Sequence, residues 1–472
     1  MSYVLRDHQK RLLELMTDND RFLVLPEQGT GKTLATLVHL RNLILAGEVE
    51  RALIVCTMSG LAAWDRDTLK FSPSDQKMLN RAITKINYDK LSRKGSKWQT
   101  LIWESWDFIV LDESHAVKRY DSNRTKYFLG KGHALGLVSK ARYCYLLTGT
   151  LITNSHLEDL WAPLRAVLLD QWPIDGKIVD MTWADFKRRY LVTRQLPGSY
   201  AEIVVGYRNR AELLDLVARY SYRVLKRDCL DLPPMQPDEV IYVPFADGTN
   251  AAPFNKNTKA LYADALESYV EALDKVADNP LTRLMLMRQV AAGHVKEDDI
   301  RDGAGRKIKG TVHNLKSLKT KYALELIEAN LPNKTVVFYQ FTASCHMLEA
   351  ALKRAGISYC TLNGEQKNKG IWQQFQKDDT KVFIGQYQSA SRAIDLFASS
   401  YTIYLEPTDS SEMDEQSRAR TDRHGQQVSC EYVFLLTEGT VEVEMYKKLL
   451  GHEDFSETQY RDIARAQVRS RR

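Results

Sequence analysis

Two glycines followed by a lysine and a threonine (Gly29, Gly31, Lys32, Thr33) and, about eighty residues later, an acidic pair (Asp112, Glu113) are the residue types that polyphosphate chemistry needs. Glycines let backbone N–H groups turn inward onto phosphate oxygens, and a helix starting near Lys32 would present the positive end of its dipole to the same anion. Lys32 would bridge the β- and γ-phosphates of ATP, and Thr33 would set its hydroxyl on Mg²⁺. Asp112 would hold that ion through its water shell, while Glu113 would orient and deprotonate the attacking water. His115 would relay the nucleotide state to Thr148-Gly149-Thr150, whose hydroxyls can bond to the acidic pair; a plain turn is the alternative there. Near the other end stand Gln416, Arg420 and Arg423. The two arginines lie three apart, hence on one face if the segment is helical, and paired guanidiniums can clamp a γ-phosphate. Such a finger contributes roughly 10³–10⁵ in rate. The competing reading is an exposed basic helix, for which Arg418 would serve equally well.

These groups need rigid supports. The apolar run Phe22–Leu25 ahead of the glycines and the amphipathic run Leu34–Leu45 behind them predict strand, loop and helix in that order. The full phosphate-loop pattern opens with glycine where this chain has Pro26. Further buried strands are predicted at Ala52–Cys56, Asp107–Leu111 and Tyr143–Leu147, the second of which delivers the acidic pair. Val4–Met16 has helical spacing, and its Gln9 either reads an adenine edge or lies solvated on the surface. Thr57-Met58-Ser59-Gly60, at the start of a helical run carrying Trp64, either seats a nucleic-acid phosphate or caps the helix. Trp161, Trp183 and Phe186 sit in helical runs and read as core. Leu232-Pro233-Pro234 marks a break, after which a helix over 261–276 and a polar loop over 297–309 are expected. A helix over 316–329 and strands at 335–338, 381–384 and 401–405 then reopen the α/β pattern.

The 472 residues exceed one core, and 44% hydrophobic with 27% charged residues suits a soluble globular chain. Sixty-six Lys and Arg against 60 Asp and Glu leave a net charge of +6, which permits nucleic-acid binding without arguing for it alone. The six cysteines are scattered with no C-x-x-C pair and read as reduced thiols of a cytosolic protein. The first residues resemble neither a signal peptide nor an anchor, and no apolar run reaches the ~20 residues of a membrane helix.

Taken together, these residues resemble a superfamily 2 helicase-type motor of the SNF2 (Swi2/Snf2) family. Leu5-Arg6 with Gln9 is similar to its Q motif, 26–33 to motif I, 53–64 to motif Ia, Ile86-Asn87-Tyr88 to the motif that follows, and 112–115 to motif II. Residues 146–154 resemble motif III with Leu151 in place of the usual proline, 223–234 the family's signature into the second lobe, 284–289 its helical insertion, 336–342 motif IV, and 416–426 motif VI. Motif V departs from the family, since 388–396 contains no glycine.

The resemblance implies an α/β fold of two RecA-like domains, parallel sheets flanked by helices with helical insertions between them: a first lobe over 1–228 with a helical protrusion, a linker and helical insertion over 229–315, a second lobe over 316–450, and a bracing helix with a basic tail over 451–472. ATP would sit in the cleft between the lobes, with Gln9, Gln28, Gly29, Thr30, Gly31, Lys32, Thr33 and Asp395 around it, Asp395 contacting either the ribose or motif VI. Ser59, Trp64, Tyr88, Gln340, Gln388 and Ser389 would touch DNA. The implied protein is a monomeric DNA-dependent ATPase of the compact bacterial or phage kind, cytoplasmic and moving on duplex or branched DNA. The rivals are a strand-separating helicase, an ATP-binding scaffold that does not cycle and, more distantly, a P-loop kinase.

Overall fold

In the segments Ala52–Cys56 and Tyr143–Leu147 every residue is buried, which requires a strand covered on both faces. The computed structural model describes residues 3–92, 100–101, 104–131, 134–149, 156–195, 202–273, 280–301, 307–364, 370–390, 394–423, 425–452, 463–465 and 467–469. It divides into two compact units, residues 1–231 and 232–472.

The first unit holds a six-stranded sheet built from β1 (Arg21–Val24), β2 (Ala52–Cys56), β3 (Ile83–Asn87), β4 (Phe108–Asp112), β5 (Tyr143–Leu147) and β6 (Ser221–Tyr222). Its order is β6-β1-β5-β4-β2-β3, and every neighbouring pair is parallel. Side chains alternate across it: Leu23, Leu53, Val55, Ile109 and Leu111 enter one core, while Val24, Ile54, Cys56, Val110 and Tyr145 enter the other. Helices α1 (Asp7–Asp18), α2 (Lys32–Leu45) and α3 (Met58–Thr68) follow the predicted runs, with α1 shifted about one turn toward the C-terminus. Because the strands are parallel, the ends of β1, β4 and β5 all open on one edge of the sheet, and β5 lies between the other two. Trp161, Trp172 and Phe186 are buried in the first of these cores, beside an antiparallel pair formed by Leu191–Gln195 and Glu202–Tyr207.

The second unit repeats the plan with β7 (Glu239–Val243), β8 (Thr335–Tyr339), β9 (Tyr359–Leu362), β10 (Val382–Gln386), β11 (Tyr401–Tyr404) and β12 (Glu431–Thr437) in the order β7-β12-β11-β8-β10-β9, all parallel. Two helices precede its main run, α4 (Thr258–Leu273) and α5 (Pro280–Ala292); α6 (Lys319–Asn330), α7 (Thr342–Ala355), α8 (Ser411–Thr421) and α9 (Val441–Leu450) follow. Tyr262 and Leu266 of α4 and Met287 of α5 share a core with Val441 and Met445 of α9 and with Ala464 and Val468. Lys319 and Glu442 form a fully buried ion pair at 2.6 Å, and the ammonium also donates to the carbonyl of Leu405 at 2.8 Å.

The loop expected over 297–309 is instead flanked and crossed by strands: His294–Lys296 pairs with Val312–Asn314, and Ile300–Arg301 with Lys307–Ile308, both antiparallel. Among the described residues of this stretch, the two antiparallel pairs supply backbone partners that a bare loop would lack. Each sheet is thus two-sided and parallel, as two RecA-like domains require. Among the described residues no helix is long and apolar enough to cross a membrane.

Candidate active site

Gly29 and Gly31 adopt φ of 83° and 85°, left-handed values that residues with a Cβ seldom take. A Cβ on Gly31 would also lie 2.2 Å from the amide nitrogen of Gln9. Gln9 is the clip on this loop. Its Nε2 donates to the carbonyls of Gly31 (3.1 Å) and Thr30 (3.3 Å), and its Oε1 accepts from the N–H of Arg6 (2.9 Å). Only 4% exposed, Gln9 is not a solvated surface residue, and its amide meets backbone groups of the loop and of its own helix start. His8 Nε2 reinforces the clip at 2.8 Å from the Thr30 carbonyl.

Lys32 opens α2, and its ammonium donates to the carbonyls of Pro26 (2.6 Å) and Glu27 (3.3 Å). Thr33 stands in the first turn, where the helix dipole favours anions. The Thr30 hydroxyl donates to the Glu27 carbonyl at 2.7 Å, and the Glu27 carboxylate accepts from the N–H of Lys226 at 2.7 Å, which ties the loop to the far end of the unit. Gln28 Nε2 donates to Glu113 Oε1 at 3.4 Å, so the loop touches the acidic pair directly. A Cβ on Gly149 would press on Gln28 at 3.1 Å, which accounts for glycine there.

Asp112 is the most constrained member. Its Oδ2 accepts from the indole N–H of Trp64 at 2.8 Å, its Oδ1 from the N–H of Glu113 at 3.0 Å, and its main-chain carbonyl from the Tyr88 hydroxyl at 2.9 Å. Trp64 and Tyr88 are 0% and 2% exposed, which overturns the expectation that they touch DNA. Each buries a large apolar body and spends its one polar handle on the carboxylate end of β4. Burial, then the charge of Glu113, raises the Asp112 pKa to about 6 against the opposing pull of the Trp64 hydrogen bond and of Lys32. Glu113 adopts φ 52° and ψ 52°, a left-handed turn costly for a residue with a Cβ, and its Oε2 lies 3.4 Å from His115 Nδ1. Thr148 is buried, and its N–H donates to Val24 across β1 and β5 at 3.1 Å. Thr150 and Leu151 lie outside the described residues. Thr57 caps α3 by accepting from Gly60 N–H, and Ser59 follows in the first turn.

In the second unit α8 carries Gln416 and Arg420, while Arg423 lies beyond the helix, which ends at Thr421. The one-face argument for the two arginines therefore fails, yet they converge by another route. Arg420 and Arg423 each donate through Nη1 to the carbonyl of Ile394, at 3.3 and 3.1 Å, and Arg423 is ion-paired with Asp395. Of the two contacts open to Asp395, the described residues show the one with motif VI, through Arg423. Gln416, 1% exposed, donates to Glu412 at 2.7 Å, and its carbonyl accepts from Arg420 Nε at 2.8 Å. Arg418 is half-buried against aromatic rings, so α8 is not an exposed basic helix. Gln340 follows β8 and donates its N–H to the buried Glu406 at 3.0 Å. Gln388 is exposed and Ser389 half-buried in the short helix Tyr387–Ala390, while 391–393 lie outside the described residues.

Two family models match the chain: the SNF2-related domain over residues 8–293 and the helicase conserved C-terminal domain over 318–425. Among curated proteins, the SWI/SNF chromatin-remodeling complex subunit snf22 of Schizosaccharomyces pombe is 22% identical over 93% of this chain and 27% of its own length. The DNA repair and recombination protein RDH54 of Saccharomyces cerevisiae is 23% identical over 94% of this chain and 52% of its own length. The DNA excision repair protein ERCC-6-like of Danio rerio is 23% identical, with 94% and 35% covered. The chain therefore spans between about a quarter and a half of these relatives. Among solved structures, the Sulfolobus solfataricus SWI2/SNF2 ATPase core in complex with dsDNA aligns over 99% of this chain and 94% of its own, at 20% identity and a TM-score of 0.41.

Proposed function

The chain belongs to the SNF2-related family of helicase-like ATPases, and from that premise we propose that it is a DNA-dependent ATPase coupling ATP hydrolysis to movement on duplex or branched DNA. The observation that carries the reading is the fixed carboxylate pair: Asp112 is held by three hydrogen bonds at the end of β4, and Glu113 is turned out beside it and touched by Gln28 of the glycine loop.

The residues fit a magnesium nucleotide. Gly31 leaves no room for a Cβ, the N-terminus of α2 faces the loop, and an anionic Asp112 supplies the oxygen donor that Mg²⁺ prefers. Lys32, released from the Pro26 and Glu27 carbonyls, bridges the β- and γ-phosphates. Thr33 and Asp112 would hold the ion. When bound, the ion polarises the phosphoryl oxygens and neutralises the charge that develops there. Glu113 orients the attacking water and takes its proton. Arg420 and Arg423 of the second unit stabilise the charge on the transferred phosphoryl group, and Gln416 belongs to the same set.

DNA is the proposed polymer because the relatives' names concern chromatin remodelling and DNA repair. Ser59, Gln340, Gln388 and Ser389 remain the proposed contacts, held mainly on phosphates, so that binding is insensitive to sequence and weakens with salt. Steady-state ATPase without nucleic acid and with single strands, blunt duplex, forks and four-way junctions tests the reading, with Glu113→Gln alongside. Stimulation by duplex or branched DNA that vanishes in Glu113→Gln is the expected result. Turnover indifferent to every DNA would remove DNA from the reading.

A further inference from the structure

Helix α8 carries Gln416 and Arg420 four residues apart on one side, and Arg418 between them points the opposite way. Its guanidinium is fully engaged. Nη1 and Nη2 fork onto the two oxygens of Asp238 at 2.6 and 2.7 Å, and Nε donates to Asp414 Oδ2 at 2.8 Å. The same group lies 4.8 Å from the ring centre of Tyr432 and 5.2 Å from that of Phe434, residues of β12 beneath the helix. A planar fork stacked on aromatic faces and satisfied at all three nitrogens fixes position and rotation together, as a lysine could not. Tyr432 also donates its hydroxyl to the Arg418 carbonyl at 3.2 Å, and Tyr446 donates to Asp238 at 3.1 Å.

Asp238 is where this anchor gains a second meaning. It immediately precedes β7, the edge strand with which the second unit's sheet begins, six residues after the unit starts at Leu232. The residue that leads into β7 is therefore joined by one bidentate pair to the back of the helix that bears Arg420.

We propose that Arg418 and Asp238 are positioning residues, which set the place of Gln416 and Arg420 by bolting α8 to the first strand of the second unit. This rests on the ATPase reading for its catalytic consequence, although the anchoring itself does not. Arg418 touches no phosphate; its effect passes through α8.

The test is amide hydrogen exchange over residues 411–421 together with ATP kinetics on the full chain, in Asp238→Asn and, should that variant fold poorly, in the milder Arg418→Lys. Exchange in α8 should quicken without ATP or DNA present. The turnover number should fall roughly ten- to a hundredfold, the scale of a misplaced catalytic group, while KM for ATP stays within about twofold. In an Arg420→Ala background the same substitution should cost no further turnover, because the group it positions is gone. Unchanged exchange across α8, or a loss of turnover that adds fully to that of Arg420→Ala, would overturn the proposal. Quickened exchange in a chain whose wild type hydrolyses no ATP would uphold the anchor and overturn the ATPase reading instead.

Discussion

The indole nitrogen of Trp64, wholly inside the core, donates at 2.8 Å to Asp112, the carboxylate proposed to hold the metal. That hydrogen bond favours the charged form of a group which burial and Glu113 push toward protonation, to a pKa of about 6. The acid limb of kcat/KM, which reports the free enzyme, should therefore lie near pH 6 and above the range of an ordinary aspartate. Trp64→Phe removes a hydrogen bond that favours the carboxylate, so the limb should move to higher pH. A limb that stays in place would show that another group controls it. The same raised pKa makes the ionised carboxylate a cost to folding at neutral pH. That cost is relieved as pH falls through about 6, down to the ordinary aspartate value, so Asp112→Asn should stabilise the chain near pH 7 and progressively less below pH 6.

Gly31 and Gln9 form a second coupled pair. Gly31→Ala places a methyl group on the Gln9 amide at a φ of 85°, and the strain should cost about 1–3 kcal/mol and abolish measurable turnover. Pairing it with Gln9→Ala removes the clash but not the backbone strain, so the double variant should be more stable than the sum of the singles predicts. Since the Gln9 amide is spent on loop carbonyls, Gln9→Ala should weaken ATP and GTP hydrolysis alike. A selective collapse of the preference for ATP would instead assign Gln9 the adenine-reading role. Melting temperatures and kcat/KM for both nucleotides decide it.

What the sequence made legible were the features carried by neighbours in the chain. Phe22–Leu25 followed by glycines, and an acidic pair closing an apolar run, announce strand ends and loops because burial and turn chemistry act over a few residues. The partners of the site were not legible, because they come from far away. Nothing near Trp64 points to Asp112, 48 residues on, and nothing near Arg418 points to Asp238, 180 residues back. An aromatic residue beside a motif and a charge on a helix both suggested surface roles, and the fold turned both inward. β6 is only two residues long and left no periodic signal, while Glu431–Thr437 is an apolar run that the strand reading passed over. The placement of Arg423 after the helix depended on where α8 stops, a boundary that spacing alone does not fix.

The buried Lys319–Glu442 pair ties α6 to α9, and Glu442 also accepts from the N–H of Thr437 at 2.8 Å. Glu442→Gln leaves an ammonium buried without its counter-charge and should destabilise the second unit by roughly 3–5 kcal/mol. Lys319→Met with Glu442→Leu removes both charges and should recover most of that loss, although the Thr437 N–H then lacks its acceptor. Pulsed hydrogen exchange in urea, read on residues 319–330, measures both. Equal destabilisation in the single and the double variant would mean that packing around the pair, rather than charge, governs the site.

Arg420 and Arg423 share one acceptor, the Ile394 carbonyl, so each helps to hold the other's place. Residues that act as a unit give non-additive losses. Arg420→Ala and Arg423→Ala should each lower the single-turnover hydrolysis rate by roughly 10³, and the double variant should be little worse than either. Asp395→Asn behaves differently. It weakens only the ion pair that restrains Arg423, leaves both guanidiniums and the Ile394 carbonyl in place, and should change the rate by less than about tenfold. Nucleotide affinity, measured separately by equilibrium binding, should be nearly unaffected in all four, because Lys32 and the glycine loop belong to the first unit. A large loss of affinity in Arg420→Ala would assign that residue to ground-state binding rather than to the transition state.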